Sequence, residues 1–350
     1  MGISATLNAV GMALVTSFGL NAWLARVARQ QGWCDPVGDR LKIHHQPTPL
    51  VGGIGVMVAF SFVVLSMSAA RGAESSAALA VCGVGVLALG LGLWDDFRWK
   101  RLTVPFAKFG LQVAAASAMT LLLRRAGVRF SGAPLWLGWL LGMVYLVGAM
   151  NALNLEDGMD GLAGGQALLS SLGLVILFNR FHMGTPATAS LALAGALAGF
   201  LVLNWHPARL FLGDGGSHLV GALLGTLALI FINDRGATAV LPAVLVIGLP
   251  VFDTIWVITR RLADGRNVVS GDRGHLYDVI YSALRARESL RESRIRTGLP
   301  VRCTQTGDSG AVADCGRRTP ANMSVPRTVL ICWLIQAGFV GLGVLFAWLA

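Results

Sequence analysis

The 350-residue sequence predicts an all-α, polytopic integral membrane protein with about ten transmembrane helices. Hydrophobic residues make up 55% of the chain and charged residues only 13%, about half of the roughly 25% that is usual in a soluble domain. The hydrophobic residues also form blocks of about twenty, the length that a helix needs to cross a hydrocarbon core of roughly 30 Å. These observations exclude secreted disulfide scaffolds, nucleic-acid-binding modules and disordered chains.

Each predicted span is an apolar run bounded by charged residues or by Gly and Pro. The first run has no basic segment or cleavage pattern before it, so we expect it to be retained rather than removed as a signal peptide. The ninth run contains a carboxylate, Asp253, which is costly inside a membrane. The predicted spans lie near 5–25, 50–70, 77–94, 106–123, 134–150, 161–179, 187–204, 217–233, 238–259 and 328–349.

The polar connections between these spans divide into two sets, one on each side of the membrane. Most of the 28 Lys and Arg residues fall in one set, which the positive-inside rule places in the cytoplasm. The net charge of +10 is therefore explained by orientation in a plasma membrane and by contact with anionic lipid, not by nucleic acid. This basic set comprises 26–49, 95–105, 151–160, 205–216 and 260–327.

Three parts are expected along the chain. Residues 1–281 hold nine spans and the distinctive polar motifs, so they form the expected catalytic domain. Residues 282–326 form a polar, Arg-rich cytoplasmic loop, and residues 327–350 form the final transmembrane helix. The five cysteines lack the paired spacing of metal ligands, so neither a disulfide framework nor a zinc site is predicted.

Two adjacent carboxylates, Asp95 and Asp96 in the motif WDDF, close the third span where hydrocarbon gives way to water. Pairing with Arg98 or Lys100 would be a purely structural explanation for them. We favour a functional one, because an acidic pair at a membrane boundary is suited to holding a divalent cation or handling a proton.

The segment NALNLEDGMDGLAGG carries Asn151, Asn154, Asp157 and Asp160 between two spans. Its glycines allow the backbone to turn and to approach a ligand closely. Asparagine amides can bind a base or a sugar, and aspartates can accept from an imide N–H or reach a metal. Two carboxamides and two carboxylates in ten residues exceed what a turn requires, so this segment is predicted to be functional.

The segment NWHPARLFLGDGGS places Asp214 between glycines, immediately before the eighth span. Asp214 either caps the following helix or supplies a hard oxygen ligand to Mg²⁺, and the two roles are compatible. The start of that helix is also expected to offer free N–H groups to a phosphate.

Two basic segments, RRLADGR and GDRGHLYD, follow the ninth span. They supply Arg260, Arg261, Arg273 and His275, which are side chains that bind a diphosphate. The sequence has neither a phosphate-binding GxxxxGK[ST] loop nor the residue order of a Ser-His-Asp triad. Carboxylates, amides and cations together predict metal-assisted phosphoryl chemistry.

Taken together, these segments resemble the polyprenyl-phosphate N-acetylhexosamine-1-phosphate transferases, known as glycosyltransferase family 4. The resemblance covers about residues 35 to 280, and NxxNxxDGxDGL followed by FLGDxGS is its most specific part. The matching pieces, in order, are HHQPTPLVGG, WDDF, Lys108 with Gln112, NALNLEDGMDGL, NWHPARLFLGDGGS, PVFDT with RR, and GDRGHLYD.

This resemblance implies an enzyme that transfers N-acetylhexosamine 1-phosphate from a UDP-sugar to polyprenyl (undecaprenyl) phosphate and releases UMP. Such a step initiates cell-wall or surface-polysaccharide synthesis. The implied cofactor is Mg²⁺, for which Mn²⁺ can substitute, bound in the cytoplasmic loops. The implied partners are the UDP-sugar, the lipid phosphate and the membrane, with no nucleic acid, and the resemblance is compatible with a homodimer.

The resemblance also implies roles for individual residues. Catalytic roles fall to Asp95, Asp96, Asp253 and His275, and the metal ligands are Asp214 and Asp95. The implied substrate-binding residues are Lys42, His44, Thr48, Lys108, Asn151, Asn154, Asp157, Asp160, Asn204, Arg260, Arg261, Asp272 and Arg273.

Two alternative functions remain open from the residues alone. A membrane transporter or lipid flippase would use the carboxylates to relay ions, but it would hold them near the midplane of the bilayer rather than at one edge. A CDP-alcohol phosphotransferase is suggested by DGMDGLAGG, but Gly164 and Gly165 stand where that family's Ala and Arg should be.

Overall fold

The computed structural model describes residues 3–35, 46–70, 75–97, 105–128, 134–266, 274–297 and 323–349, and it confirms the predicted all-α class. A short antiparallel pair, β1 (Cys34–Asp35) with β2 (Thr48–Pro49), accompanies the helices. The helices are α1 (Ile3–Gln31), α2 (Gly52–Ala70), α3 (Ser75–Phe97), α4 (Pro105–Arg125), α5 (Leu135–Glu156), α6 (Leu162–Arg180), α7 (Gly184–Asn204), α8 (Gly213–Arg235), α9 (Val240–Val246), α10 (Gly248–Ala263), α11 (Leu276–Thr297) and α12 (Ser324–Leu349).

Eight helices in the described ranges are long and apolar enough to cross a membrane, by length and composition. The predicted ninth span is broken into α9 and α10, which meet at an angle of 85° and could together count as one more span. The predicted fourth span is the helix α4, which carries Lys108 near its start and Arg124 and Arg125 at its end, and it is not among the eight. The protein is a multi-pass membrane protein, and its described residues contain eight or nine clear spans where about ten were expected.

Helix α8 forms the centre of the bundle and is buried along nearly its whole length. It packs against α3 and α5, while α7 packs against α1 and α6. Because the span helices α3 and α5 end where α6 and α8 begin, the polar motifs of the sequence gather at one end of the bundle.

Glycine allows α3 and α8 to approach each other closely at that end. A β-carbon at Gly92 of α3 would collide with the main-chain carbonyl of Asp214. Gly213 has φ of +76°, and a β-carbon there would lie 2.9 Å from an Asp96 carboxylate oxygen. Only glycine adopts this conformation without strain, so Gly213 sets the turn that leads into α8.

The Gly92 contact predicts that Gly92→Ala destabilises the protein by about 1–3 kcal/mol, the range for overpacking a filled interior. Gly90→Ala is the matched control on the same helix, because a β-carbon there meets nothing within 4 Å. Alanine at that control position should stabilise α3 by about 0.5–1 kcal/mol through its better helix propensity. Thermal unfolding of both variants in detergent measures the difference, and equal melting temperatures would contradict the close approach.

Candidate active site

The Asp96 side chain joins the end of α3 to the start of α8. Its carboxylate oxygens accept the backbone N–H of Asp214 at 3.2 Å and that of Gly215 at 2.9 Å. These are the contacts of a helix cap supplied by another helix. Two of the N–H groups that were expected to be free for a phosphate at the start of α8 are therefore bonded within the protein. The catalytic role of Asp96 remains a prediction.

Asp214 lies in the first turn of α8 and faces the end of α5. Asn154 donates from its amide nitrogen to Asp214 Oδ1 at 2.9 Å and to Ser217 Oγ at 2.9 Å. The two most specific motifs of the sequence therefore meet through a side-chain hydrogen bond between residues sixty positions apart. The second carboxylate oxygen of Asp214 has no hydrogen bond to the described residues.

Asp95, next to Asp96, forms an ion pair with Lys108 near the start of α4. The predicted partners Arg98 and Lys100 lie outside the described residues. The Asp95 carboxylate is therefore held through Oδ1 by a cation from the neighbouring helix, and its role as a metal ligand remains a prediction. The pair places one predicted substrate-binding residue directly beside one predicted catalytic residue.

Asp157 follows the end of α5 and lies among other carboxylates. Its pKa is raised well above the usual range because burial disfavours the charged form and because Asp214, Asp96 and Asp160 are negatively charged nearby. A cation bound among these groups would relieve the repulsion. This electrostatic arrangement favours the binding of a divalent metal or of a basic side chain.

Asp160 holds the loop between α7 and α8. Its carboxylate pairs with His206 Nδ1 at 2.7 Å and accepts the backbone N–H of Ala208 at 3.0 Å. Asn204 holds the same loop from the other side, accepting the N–H of Gly161 at 3.0 Å and donating to the carbonyl of Leu210 at 2.9 Å. Both polar atoms of Asn204 are thus bonded within the protein, so it has a structural role here, and its binding of substrate remains a prediction.

A carboxylate–histidine pair joins the interior of α10 to the residue that precedes α11. Asp253 is fully buried, and its carboxylate accepts His275 Nδ1 at 2.6 Å and the backbone N–H of Leu276 at 2.7 Å. The hydrogen bond at Nδ1 fixes the orientation of the imidazole. The ring of Tyr277 stacks on His275 with centroids 5.4 Å apart, and its hydroxyl lies against Gly158, so the pair is joined to the Asp157 segment.

The remaining predicted residues divide by position. Arg260 and Arg261 lie in the last turn of α10, and Arg260 packs against Gly274, which precedes His275. Thr48 in β2 donates its hydroxyl to the carbonyl of Gln46 at 3.0 Å. The predicted residues outside the described part of the chain are Lys42, His44, Asp272 and Arg273.

Sequence reasoning assigned no role to three polar residues that the structure places here. Glu156 is 2% exposed and accepts from Gln166 at 3.0 Å, His206 pairs with Asp160, and His218 contacts the backbone of Asp214. Each of these residues lies within or directly beside a quoted motif. Their polarity in otherwise apolar or Gly-rich surroundings was the signal that could have identified them.

Mg²⁺ fits these residues if substrate supplies part of its coordination. Among the described residues, no three His, Cys, Asp or Glu side chains are close enough together to hold a metal by themselves. Mg²⁺ is, however, usually bound through one or two carboxylates together with substrate phosphates and water. Asp214, with one carboxylate oxygen that makes no hydrogen bond to the described residues and with Asp157 nearby, provides that smaller donor set.

Comparison with known proteins identifies similar sequences. The chain matches the family model described as "Glycosyl transferase family 4" over residues 77–232, a range that includes the acidic pair, the Asn–Asp segment and Asp214. Asp253 and His275 lie beyond the matched range.

Several curated proteins are similar over much of the chain. A decaprenyl-phosphate N-acetylglucosaminephosphotransferase of Mycolicibacterium smegmatis is 33% identical over 302 residues, which cover 76% of this chain and 72% of that protein. A probable undecaprenyl-phosphate N-acetylglucosaminyl 1-phosphate transferase of Bacillus subtilis is 28% identical over 76% of this chain and 74% of its own length. A phospho-N-acetylmuramoyl-pentapeptide-transferase of Limosilactobacillus reuteri is 32% identical over 53% of this chain and 62% of its own length.

Proposed function

Because the chain belongs to glycosyl transferase family 4 and is a phospho-sugar transferase acting on polyprenyl phosphate, we propose that its donor is a UDP-N-acetylhexosamine. The products are then polyprenyl diphosphate N-acetylhexosamine and UMP. Two of the similar proteins carry N-acetylglucosamine in their names, which favours that sugar. The observation that supports the proposal most strongly is the meeting of Asn154, Asp157 and Asp214 at one end of a membrane bundle.

The reaction joins an oxygen of the lipid phosphate to the β-phosphorus of the UDP-sugar. The bond between that phosphorus and the bridging oxygen breaks, and UMP leaves with the electron pair. The lipid phosphate is largely ionised at neutral pH, so it is already nucleophilic when it reaches the membrane edge. The protein is then required mainly to position the two phosphates and to stabilise negative charge.

The described residues include groups that can position the phosphates and stabilise their negative charge. Lys108, paired with Asp95, is a cation at the membrane edge that can meet the lipid phosphate. Arg260 and Arg261 supply two further cations at the end of α10, for the diphosphate. His275, oriented by Asp253, can transfer a proton at its remaining ring nitrogen.

Mg²⁺ is the proposed cofactor, and the family is generally Mg²⁺-dependent. Asp214 would hold the ion, with Asp157 nearby. When bound, the ion neutralises charge on the diphosphate and on the leaving UMP. We also propose that this end of the bundle faces the cytoplasm, where UDP-sugars are made, because the basic connections lie on this side.

Incubation of the purified full-length protein with UDP-GlcNAc, polyprenyl phosphate and Mg²⁺ should release UMP. EDTA should abolish the release, and added Mg²⁺ or Mn²⁺ should restore it. Omission of the lipid phosphate is the control, because the proposed reaction needs it as acceptor. UMP release from UDP-N-acetylgalactosamine but not from UDP-GlcNAc would show that the transferred sugar is N-acetylgalactosamine. No release from any UDP-N-acetylhexosamine would refute the proposed donor.

A further inference from the structure

His218 lies in the first turns of α8, four positions after Asp214. It is a buried residue, with a relative exposure of 3%. We propose that His218 is a positioning residue that fixes Asp214 through a chain of hydrogen bonds running from α5 through α4 to α8. This inference rests on the proposed function, because Asp214 is the residue that would hold Mg²⁺ in that reaction.

The chain of hydrogen bonds has four links. Asn151 Nδ2 of α5 donates to the carbonyl of Val147 at 2.8 Å and to Gln112 Oε1 of α4 at 3.0 Å. Gln112 Nε2 lies 3.0 Å from His218 Nε2, and His218 Nδ1 lies 2.7 Å from the carbonyl oxygen of Asp214. Three helices are thus connected through side chains that end on the backbone of Asp214.

The two carbonyls at the ends of the chain determine the direction of every link. The Val147 carbonyl can only accept, so the Asn151 atom that faces it is the amide nitrogen, and that nitrogen also donates to Gln112 Oε1. Gln112 must then donate from Nε2, and His218 accepts at Nε2. His218 Nδ1 therefore carries the proton and donates it to the Asp214 carbonyl, which can only accept.

Asp214 is consequently held at three different groups. Asp96 accepts from its backbone N–H, His218 donates to its carbonyl, and Asn154 donates to one oxygen of its carboxylate. These bonds leave the other carboxylate oxygen in a fixed position. Partners of this kind orient a metal ligand, and their loss commonly lowers metal affinity or activity by about 10–100-fold.

His218→Leu is the direct test, because leucine fills the space and removes both hydrogen bonds. We expect Mn²⁺ binding to the purified full-length protein, measured by electron paramagnetic resonance with and without UMP, to weaken by about 10-fold or more. The Mg²⁺ concentration for half-maximal turnover should rise in parallel. The KM for polyprenyl phosphate should change little, because His218 acts on the metal ligand.

Two conservative substitutions distinguish the two hydrogen bonds of His218, one to Asp214 and one to Gln112. Asparagine at position 218 places an amide nitrogen close to where Nδ1 lies and can still donate to the Asp214 carbonyl. Glutamine instead reaches the place of Nε2, so it contacts Gln112 and loses the bond to Asp214. We therefore expect His218→Asn to retain Mn²⁺ affinity better than His218→Gln.

Gln112→Leu provides an independent route to the same result if His218→Leu does not fold. It should weaken Mn²⁺ binding. The double variant Gln112→Leu/His218→Leu should lose less Mn²⁺ binding free energy than the sum of the losses in the two single variants. Unchanged Mn²⁺ affinity in a folded His218→Leu or Gln112→Leu protein would overturn the inference, as would equal affinities for the Asn and Gln variants. Mn²⁺ binding without UMP release from the unsubstituted protein would refute the proposed function alone, while no Mn²⁺ binding would refute both.

Discussion

Asp214→Asn is expected to lower kcat/KM by about 10²-fold or more, measured as UMP release under saturating Mg²⁺. Asparagine keeps the shape of the side chain, and its carbonyl oxygen can still accept the hydrogen bond from Asn154. Only the negative charge and the second carboxylate oxygen are lost. A large effect therefore reports on metal binding rather than on the packing of α8.

Asp234→Asn is the matched control for this prediction. Asp234 lies on the same helix, exposed at its opposite end, so the same change of charge is made far from the site. The control should keep activity close to that of the unsubstituted protein. Near-normal activity in Asp214→Asn would remove Asp214 from the metal site, and an equal loss in both variants would point to a general effect of charge on α8.

The motif residues were predictable because their types and spacing are specific, and the structure explains why two motifs lie together. Asn154 and Asp214 were each identified as polar residues beside a membrane span, and a hydrogen bond joins them. Membership of the family also decides against the transporter and the CDP-alcohol phosphotransferase as alternative functions. Spacing alone indicated which residues are candidates for chemistry, but not which of them also make structural bonds.

Asn204 and Asp96 show this limit. Both are polar residues at a membrane edge, and sequence reasoning assigned both to substrate or catalysis. In the structure the amide of Asn204 also joins Gly161 to Leu210, and the carboxylate of Asp96 caps α8. Their partners are between 6 and 119 positions away in the sequence, so only the folded bundle reveals that these polar groups are bonded within the protein.

The break between α9 and α10 was not predictable for a different reason. Hydropathy treats residues 238–259 as one apolar run, yet the chain turns by 85° inside it. A bend in a membrane leaves backbone groups without partners, which is costly unless another group bonds them. Gln336 of α12 does so, accepting the N–H of Leu249 at 2.9 Å and donating to the carbonyl of Val246 at 2.7 Å.

That bend sets the direction of α10, the helix that carries Asp253. The second large prediction concerns the Asp253–His275 pair. Asp253→Asn should lower kcat by about 10²-fold or more, the contribution of a positioned acid–base group. The carboxylate accepts from both His275 Nδ1 and the Leu276 N–H, whereas an asparagine oxygen can face only one of them and its NH₂ group opposes the other.

Three measurements distinguish this positioning role from a loss of fold. Asp264→Asn, at the exposed end of the same helix, is the control and should leave kcat unchanged, because its ion pair with Arg266 is solvent-exposed at 3.8 Å. The loss in Asp253→Asn should fall on kcat more than on KM for the UDP-sugar. The double variant Asp253→Asn/His275→Gln should lower kcat no more than either single change, because both changes disable the same Asp253–His275 pair. Fully additive losses, or a normal kcat in a folded Asp253→Asn protein, would show that the pair only stabilises the junction of α10 and α11.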